Sequence, residues 1–260
     1  MIKAVLLDMD NTLIATQDLF EEAHDRLTAF IESRAKTPPS ESLATVRRFE
    51  VELFAHFGYG TGMLPQAFEN ALLTYAPQSP DADIAAVRQM ASDVYARAAR
   101  VIPGVPQAIE NMAQHFDLYI LTAGDAGAQQ RRIDALPFKH HFKGAFPVPE
   151  KTPETYLTLL KKLGLQPHEV VMIGDSLKSD IIPSVAAGLS AIHIPHANWV
   201  GREMAGLKMP ETTLATVFNH MSSAASHLIA GAAKIKPVAE HRHSAAPQPS
   251  RKPAHPAQAA

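Results

Sequence analysis

A chain of 260 residues with an apolar share of 46%, a charged share of 19% and a formal charge of −2 can bury a real core and has the composition of a globular protein. A charge so near neutral supplies no electrostatic footprint for nucleic acid or an anionic membrane surface, so neither is expected as a partner. The absence of cysteine excludes disulfides, thiolate catalysis and cysteine-ligated zinc.

Met1-Ile2-Lys3 leads straight into an apolar run too short for a signal-peptide core or a membrane span, and a cytoplasmic enzyme is expected. That run, Ala4-Val5-Leu6-Leu7, reads as a buried parallel strand and ends at the acidic loop Asp8-Met9-Asp10-Asn11-Thr12-Leu13. The next strand-like run begins only at 118, and helical periodicity fills the interval. Leu19, Ala23, Leu27 and Phe30 share one face, as do Val46, Phe49, Leu53 and Phe57. Phe68, Leu72 and Tyr75 form a third stripe, and Ile84, Val87, Ala91 and Val94 a fourth. Breakers at Thr37-Pro38-Pro39-Ser40, Gly58-Tyr59-Gly60-Thr61-Gly62 and Pro77-Gln78-Ser79-Pro80 separate these helices. Residues 16–98 are therefore predicted to form a smaller all-helical domain, inserted behind the acidic loop and placed to cover it. The glycine-rich segment 58–62 reads as an interhelical turn, and His24 and His56 as partly exposed structural residues.

Beyond the insertion, strand-like runs at 118–121, 170–173 and 191–194 alternate with helical segments over 107–115, 153–163 and 180–187. Pro153 suits the first turn of its helix, and Gly164 and Gly188 act as stops. Such alternation predicts an α/β fold with a Rossmann-like parallel sheet built from residues 1–15 and 99–230. One more amphipathic helix is expected near 211–229, and Trp199 is expected to pack on the core. Residues 231–260 are rich in proline, alanine and histidine and poor in large apolar side chains, so a disordered tail is expected, with His241, His243 and His255 solvated.

The second acidic loop, Gly174-Asp175-Ser176-Leu177-Lys178-Ser179-Asp180, follows Val170-Val171-Met172-Ile173. Carboxylates just past the carboxyl ends of two parallel strands converge on the crevice where open α/β sheets bind ligands. Close acids repel, and a divalent cation is the usual remedy; magnesium suits an all-oxygen site of two carboxylates, a main-chain carbonyl, waters and a phosphate oxygen. A carboxylate such as Asp8 can attack phosphorus once negative charge is partly neutralised, and Asp10 can shuttle the proton of the leaving oxygen and of the attacking water. Thr12 is expected to brace the turn through its hydroxyl, and Asn11 to tolerate its unusual backbone angles. Thr122, with nearby backbone N–H groups such as that of Ala123, can donate to a phosphoryl oxygen, and Lys151 supplies a cation.

In this order the motifs Asp8-x-Asp10-Asn11-Thr12-Leu13, Leu121-Thr122-Ala123-Gly124, Lys151 and Gly174-Asp175-Ser176-x-x-Ser179-Asp180 resemble the haloacid dehalogenase-like (HAD) hydrolase superfamily over roughly 1–195, specifically its phosphatases with a helical cap after the first motif. The resemblance implies that Asp8 becomes the phosphoaspartate and Asp10 is the acid/base. It implies that Asp8 and Asp175 ligate Mg²⁺ by side chain and Asp10 by its backbone carbonyl. Thr122, Ala123 and Lys151 would contact the phosphoryl group, with Thr12, Ser176 and Asp180 in support. Thr152 separates Lys151 from Pro153, where the family commonly has lysine followed at once by proline, so Lys143 is the alternative cation. Retention of Asp10 points away from dehalogenation, and Ala15 and Phe20 stand near the places where sugar-phosphate mutases carry an acid and a histidine.

The expected function is a Mg²⁺-dependent phosphatase acting on a small-molecule phosphomonoester such as a nucleotide or sugar phosphate, as a monomer or homodimer. The alternatives are a non-catalytic phosphate-ligand binding or regulatory protein on the same scaffold, and a phosphotransferase.

Overall fold

The structure, a computed structural model, describes residues 1–196 and 206–233; Trp199 and the histidines of the tail lie outside the described residues. Six parallel strands form the main sheet among them: β1 (Ala4–Leu7), β4 (Asp117–Ala123), β5 (Phe142–Val148), β6 (Val170–Gly174), β7 (Ser190–His193) and β8 (Ala215–Val217), in the order β5-β4-β1-β6-β7-β8. The central strands β1 and β6 are buried along their whole length, which explains their unbroken apolar sequence. Alternate residues serve opposite faces. Val5 and Leu7 pack with Val105, Ile109 and Met112 of α5 (Val105–Ala113) and with Met221 and Ala224 of α9 (Met221–Ala233). Ala4 and Leu6 pack with Tyr156, Leu159 and Leu160 of α7 (Pro153–Leu163).

Four helices, α1 (Thr16–Ala35), α2 (Pro39–Phe57), α3 (Met63–Tyr75) and α4 (Asp81–Ala96), lie between two short strands. Those strands, β2 (Ile14–Ala15) and β3 (Arg100–Val101), pair antiparallel and form the neck through which the chain leaves and returns. The four helices enclose a core of their own, with Leu27, Ile31, Val46, Phe68, Leu72, Val87 and Ala91 fully buried. Two expected stripes shift. Ile31, rather than Phe30, takes the buried position on α1, and on α2 only Val46 of the four expected apolar residues is fully buried. The carboxyl-terminal half of α2 instead turns Glu50, Val51 and Phe54 to a cavity facing the sheet, and Phe57 is exposed.

Several elements differ from expectation. The strand β5, Phe-Lys-Gly-Ala-Phe-Pro-Val, holds Gly144 and Pro147, which an edge strand tolerates and a central one does not. The polar helix α6 (Ala126–Asp134) is set by its cap, Asp125, whose Oδ1 accepts from the Ala128 N–H at 2.8 Å. In place of one helix over 211–229, the edge strand β8 precedes α9. Residues 177–187 form a π-helical turn, Leu177–Ile181, followed by α8 (Ile182–Ala186), with Pro183 in the first turn of α8 where no N–H is required. No helix among the described residues is long and apolar enough to cross a membrane.

Candidate active site

Because the sheet is parallel, Asp8, Thr122, Asp175 and the segment leading to Lys151 all emerge at the carboxyl ends of their strands. The first loop turns back at once: the N–H groups of Leu13 and Ile14 donate to the Met9 carbonyl at 2.9 and 3.1 Å. Asn11 sits at φ 60° in the left-handed region, which asparagine tolerates better than most residues. Its Oδ1 accepts from the Gln17 N–H at 2.8 Å and from the Thr16 hydroxyl at 3.2 Å, tying the loop to the start of α1. Thr12 does not brace the turn as expected: its hydroxyl is buried without a hydrogen-bond partner among the described residues. The amide of Asn11 already reaches the free N–H of the helix start, so the bracing falls to Asn11.

The second loop is organised by Asp180. Its Oδ2 accepts from the Ser176 N–H at 3.0 Å, while the Ser176 hydroxyl oxygen accepts from the Ser179 N–H at 3.2 Å. A Cβ on Gly174 would lie 2.1 Å from Asp180 Oδ2, so only glycine lets that carboxylate fold back under the strand end. The Tyr156 hydroxyl donates to the Ser179 carbonyl at 3.0 Å, locking α7 against this loop. From the next strand His193 contributes Nε2, 2.8 Å from the Asp175 carbonyl.

Asp8, Asp175 and Asp180 are all buried, and each offers an oxygen within 4.8 Å of the others. Lys151 Nζ donates to Asp8 Oδ1 and to Asp180 Oδ1, both at 2.6 Å, with only 1% of its side chain exposed. The inserted Thr152 does not displace it. Thr152 is the N-cap of α7, joined to Thr155 in a reciprocal capping pair, and it sets Pro153 at the first helical position. The alternative, Lys143, pairs with Asp117 at 2.6 Å on the surface, at the opposite end of the sheet from the acids. Burial pushes the Asp8 carboxyl up to about 7; Lys151 opposes the shift, and Asp180 and Asp10 reinforce it. Burial and the neighbouring Asp8 and Asp180 raise Asp175 well above the ordinary range. Lys151 is itself held above its usual value, because Asp180 and Asp8 together outweigh its burial. Three buried carboxylates against one ammonium leave an excess of negative charge in an all-oxygen pocket, the donor set a hard divalent cation requires. These residues fit magnesium.

Asp10 faces elsewhere. Gln129 Nε2 donates to Asp10 Oδ2 at 2.7 Å, and Arg132 Nη1 to Oδ1 at 3.0 Å. The same Gln129 nitrogen lies 2.9 Å from Thr122 Oγ1 and 2.8 Å from the Ala123 carbonyl, so its two hydrogens are shared among three acceptors. Gly124, at φ 143°, lets that amide approach, since a Cβ there would lie 3.1 Å from it. Gln129 and Arg132 did not figure among the sequence candidates because α6 has no apolar stripe to announce it. Their spacing of three on one helix face, behind the Asp125 cap, was the available signal.

A cavity of about 470 Å³ opens above the acids, lined from the sheet side by Asp8, Asp10 and Asp175 and from the helices by Phe20, His24 and Phe54. His24 is buried rather than partly exposed, because it pairs with Glu50 and packs against the Phe68 ring. The 58–62 segment also reaches the site: the Tyr59 hydroxyl lies 2.9 Å from that of Ser179, and Lys178 Nζ sits 4.6 Å from the centre of the Phe54 ring.

Residues 2–188 match the family of haloacid dehalogenase-like hydrolases. The glyceraldehyde 3-phosphate phosphatase of Methanopyrus kandleri is 28% identical over 211 residues, covering 78% of this chain and 88% of that protein. The human N-acylneuraminate-9-phosphatase is 30% identical over a shorter stretch of 88 residues, 32% of this chain and 36% of that protein. Among solved structures, a haloacid dehalogenase-like hydrolase from Xanthomonas campestris superposes with a TM-score of 0.74 at 24% identity, covering 90% of this chain and 93% of that one. The magnesium-bound HAD hydrolase YfnB of Bacillus subtilis gives 0.63 at 20% identity, covering 88% of this chain and 99% of that one. At such identities the structural likeness speaks for the fold.

Proposed function

The chain belongs to the haloacid dehalogenase-like hydrolases, and from that premise we propose that it hydrolyses a small-molecule phosphomonoester through a phosphoaspartate on Asp8. The observation that carries this reading is the buried meeting of Asp8, Asp175, Asp180 and Lys151, with Asp10 two residues along but held apart by its own partners. A nucleophile and an acid/base must be separate groups, because one carboxylate cannot form the bond to phosphorus and deliver a proton in the same step.

In the first half-reaction an Asp8 carboxylate oxygen bonds to phosphorus as the ester P–O bond breaks. The electron pair of that bond stays on the ester oxygen, which takes the proton of Asp10 and departs as the alcohol. In the second, water attacks the phosphorus of the aspartyl phosphate and gives a proton to Asp10, and Asp8 is released as a carboxylate with inorganic phosphate. The Thr122 hydroxyl and the Ala123 N–H donate to phosphoryl oxygens, and Lys151 offsets the charge that gathers on them. Magnesium, held by Asp8, Asp175 and the Asp10 main-chain carbonyl with Asp180 in support, would neutralise phosphoryl charge when bound.

Residues 16–98 act as a cap over a core of 1–15 and 99–230, keeping bulk water from the cavity until the aspartyl phosphate forms. The names of the two phosphatase relatives support a phosphorylated sugar or related metabolite as substrate, and the enzyme is read as cytoplasmic. A phosphate-release panel of metabolites, run with Mg²⁺ and with a chelator, tests the reading. Turnover of at least one ester, abolished by the chelator and by Asp8→Asn in a normally folded variant, is the expected result. Metal-dependent turnover that survives Asp8→Asn would overturn it.

A further inference from the structure

Arg132 is a long cation with only 6% of its side chain exposed, and it touches both parts of the molecule at once. Its Nη1 donates to Asp10 Oδ1 at 3.0 Å and lies 3.4 Å from Gln129 Oε1. Its Nη2 donates to the carbonyl of Val94, in the last turns of α4, at 3.2 Å. Asp10 and Val94 belong to opposite ends of the helical insertion, one just before the chain enters it and one just before it leaves. A planar guanidinium with donors at fixed angles can hold both contacts only when α4, α6 and the Asp10 loop stand in this one arrangement. A lysine ammonium on a flexible stem cannot reproduce that fork.

We propose that Arg132 is the positioning residue for Asp10: it fixes the plane of the acid/base carboxylate, with Gln129, and ties that plane to the docked position of the helical insertion through the Val94 carbonyl. This rests on the reading of Asp10 as the acid/base given above. Arg132 takes no proton and bonds to no phosphoryl oxygen in this role. Each Asp10 oxygen keeps a second lone pair, so one can carry the transferable proton while the two donated bonds hold the carboxyl in place. The Val94 contact exists only with the insertion docked as it is here, so the full set of bonds that holds Arg132 against Asp10 belongs to this arrangement.

The dependence on leaving group tests this. An alkoxide must be protonated as it departs, whereas 4-nitrophenolate leaves without help, so loss of acid positioning falls on alkyl esters. A purely structural fault lowers both alike. The quantity to compare is kcat/KM, which reports the first half-reaction, for 4-nitrophenyl phosphate and for the best alkyl phosphomonoester of the metabolite panel. The variants are Arg132→Met, Arg132→Lys and Asp10→Asn, with near-ultraviolet circular dichroism as the check on fold. Asp10→Asn should lose on the order of 10²-fold or more on the alkyl ester and about tenfold less on the aryl ester. Arg132→Met should show the same selectivity at smaller amplitude, and Arg132→Lys should restore the fold without restoring the alkyl rate. Equal losses on both esters in a folded Arg132→Lys protein, beside a discriminating Asp10→Asn, would overturn the positioning role alone. An Asp10→Asn protein that does not discriminate would overturn the acid/base assignment, and this inference with it.

Discussion

The two aspartates of the first loop are separated by a single residue and live in different surroundings. Asp8 lies on the sheet side, buried beside Asp175 and Asp180 and bonded to Lys151. Asp10 keeps 26% of its side chain exposed to the cavity and is bonded by Gln129 and Arg132, two residues of one helix. On the sheet side, three buried carboxylates face a single ammonium, a donor set that suits a divalent cation. On the helix side, one carboxylate meets two directional donors, and what is controlled is orientation. The proposed nucleophile and proton carrier thus share a loop but are surrounded by separate sets of neighbours.

The largest effect should come from disturbing the sheet side. Lys151→Met leaves three buried acids without their ammonium; removing one partner of a buried ionic group costs about 3–5 kcal/mol, and turnover should vanish. Urea unfolding in chelator measures the first and phosphate release the second. A stability within about 1 kcal/mol of wild type would mean that Lys151 does not balance the charge of the three acids.

Gly174→Ala comes next, since its Cβ would meet Asp180 Oδ2 at 2.1 Å. Forcing that buried carboxylate aside should cost about 1–3 kcal/mol and should weaken magnesium binding, read by calorimetric titration.

Gln129→Leu should disturb only the helix side. It deprives Asp10 and Thr122 of a shared donor at a cost of about 1–3 kcal/mol, while magnesium affinity stays close to wild type. A fall in magnesium affinity as large as that of Gly174→Ala would erase the distinction between the two sides.

The smallest effect is reserved for Thr12→Val. Its hydroxyl is buried and unpartnered, so the isosteric apolar side chain should leave the melting temperature unchanged or raise it slightly. Asn11→Ala, which removes two loop hydrogen bonds, should lower it.

Much of this was legible along the chain because it depends on local pattern. The unbroken apolar runs of β1 and β6, the acids that end them, the helical stripes of α3 and α4 and the boundaries Pro153–Leu163 are local signals, and the folded chain carries them. Elements with weak local signals were hidden: β5 because glycine and proline interrupt it, α6 because it is almost wholly polar, and β8 because three residues carry no period. Two residue readings failed for a related reason. A hydroxyl beside a turn and a histidine on an amphipathic helix have several satisfactory fates, and the partners that choose between them, Thr16 and Gln17 for the loop and Glu50 for His24, can be known only in space.

What the amino-acid order determined by itself was a parallel sheet whose strand ends present carboxylates, and with it the expectation of oxygen ligands and of a carboxylate nucleophile beside a second acid. The tertiary structure brought Asp180 into one buried cluster with the expected pair Asp8 and Asp175, and it alone decided that Gln129 and Arg132 hold Asp10. The reason is range. Strand and helix patterns arise from neighbours a few residues apart, whereas a carboxylate's surroundings are set by side chains that meet only when separated segments pack, as Asp8 meets Lys151 and Asp10 meets Arg132.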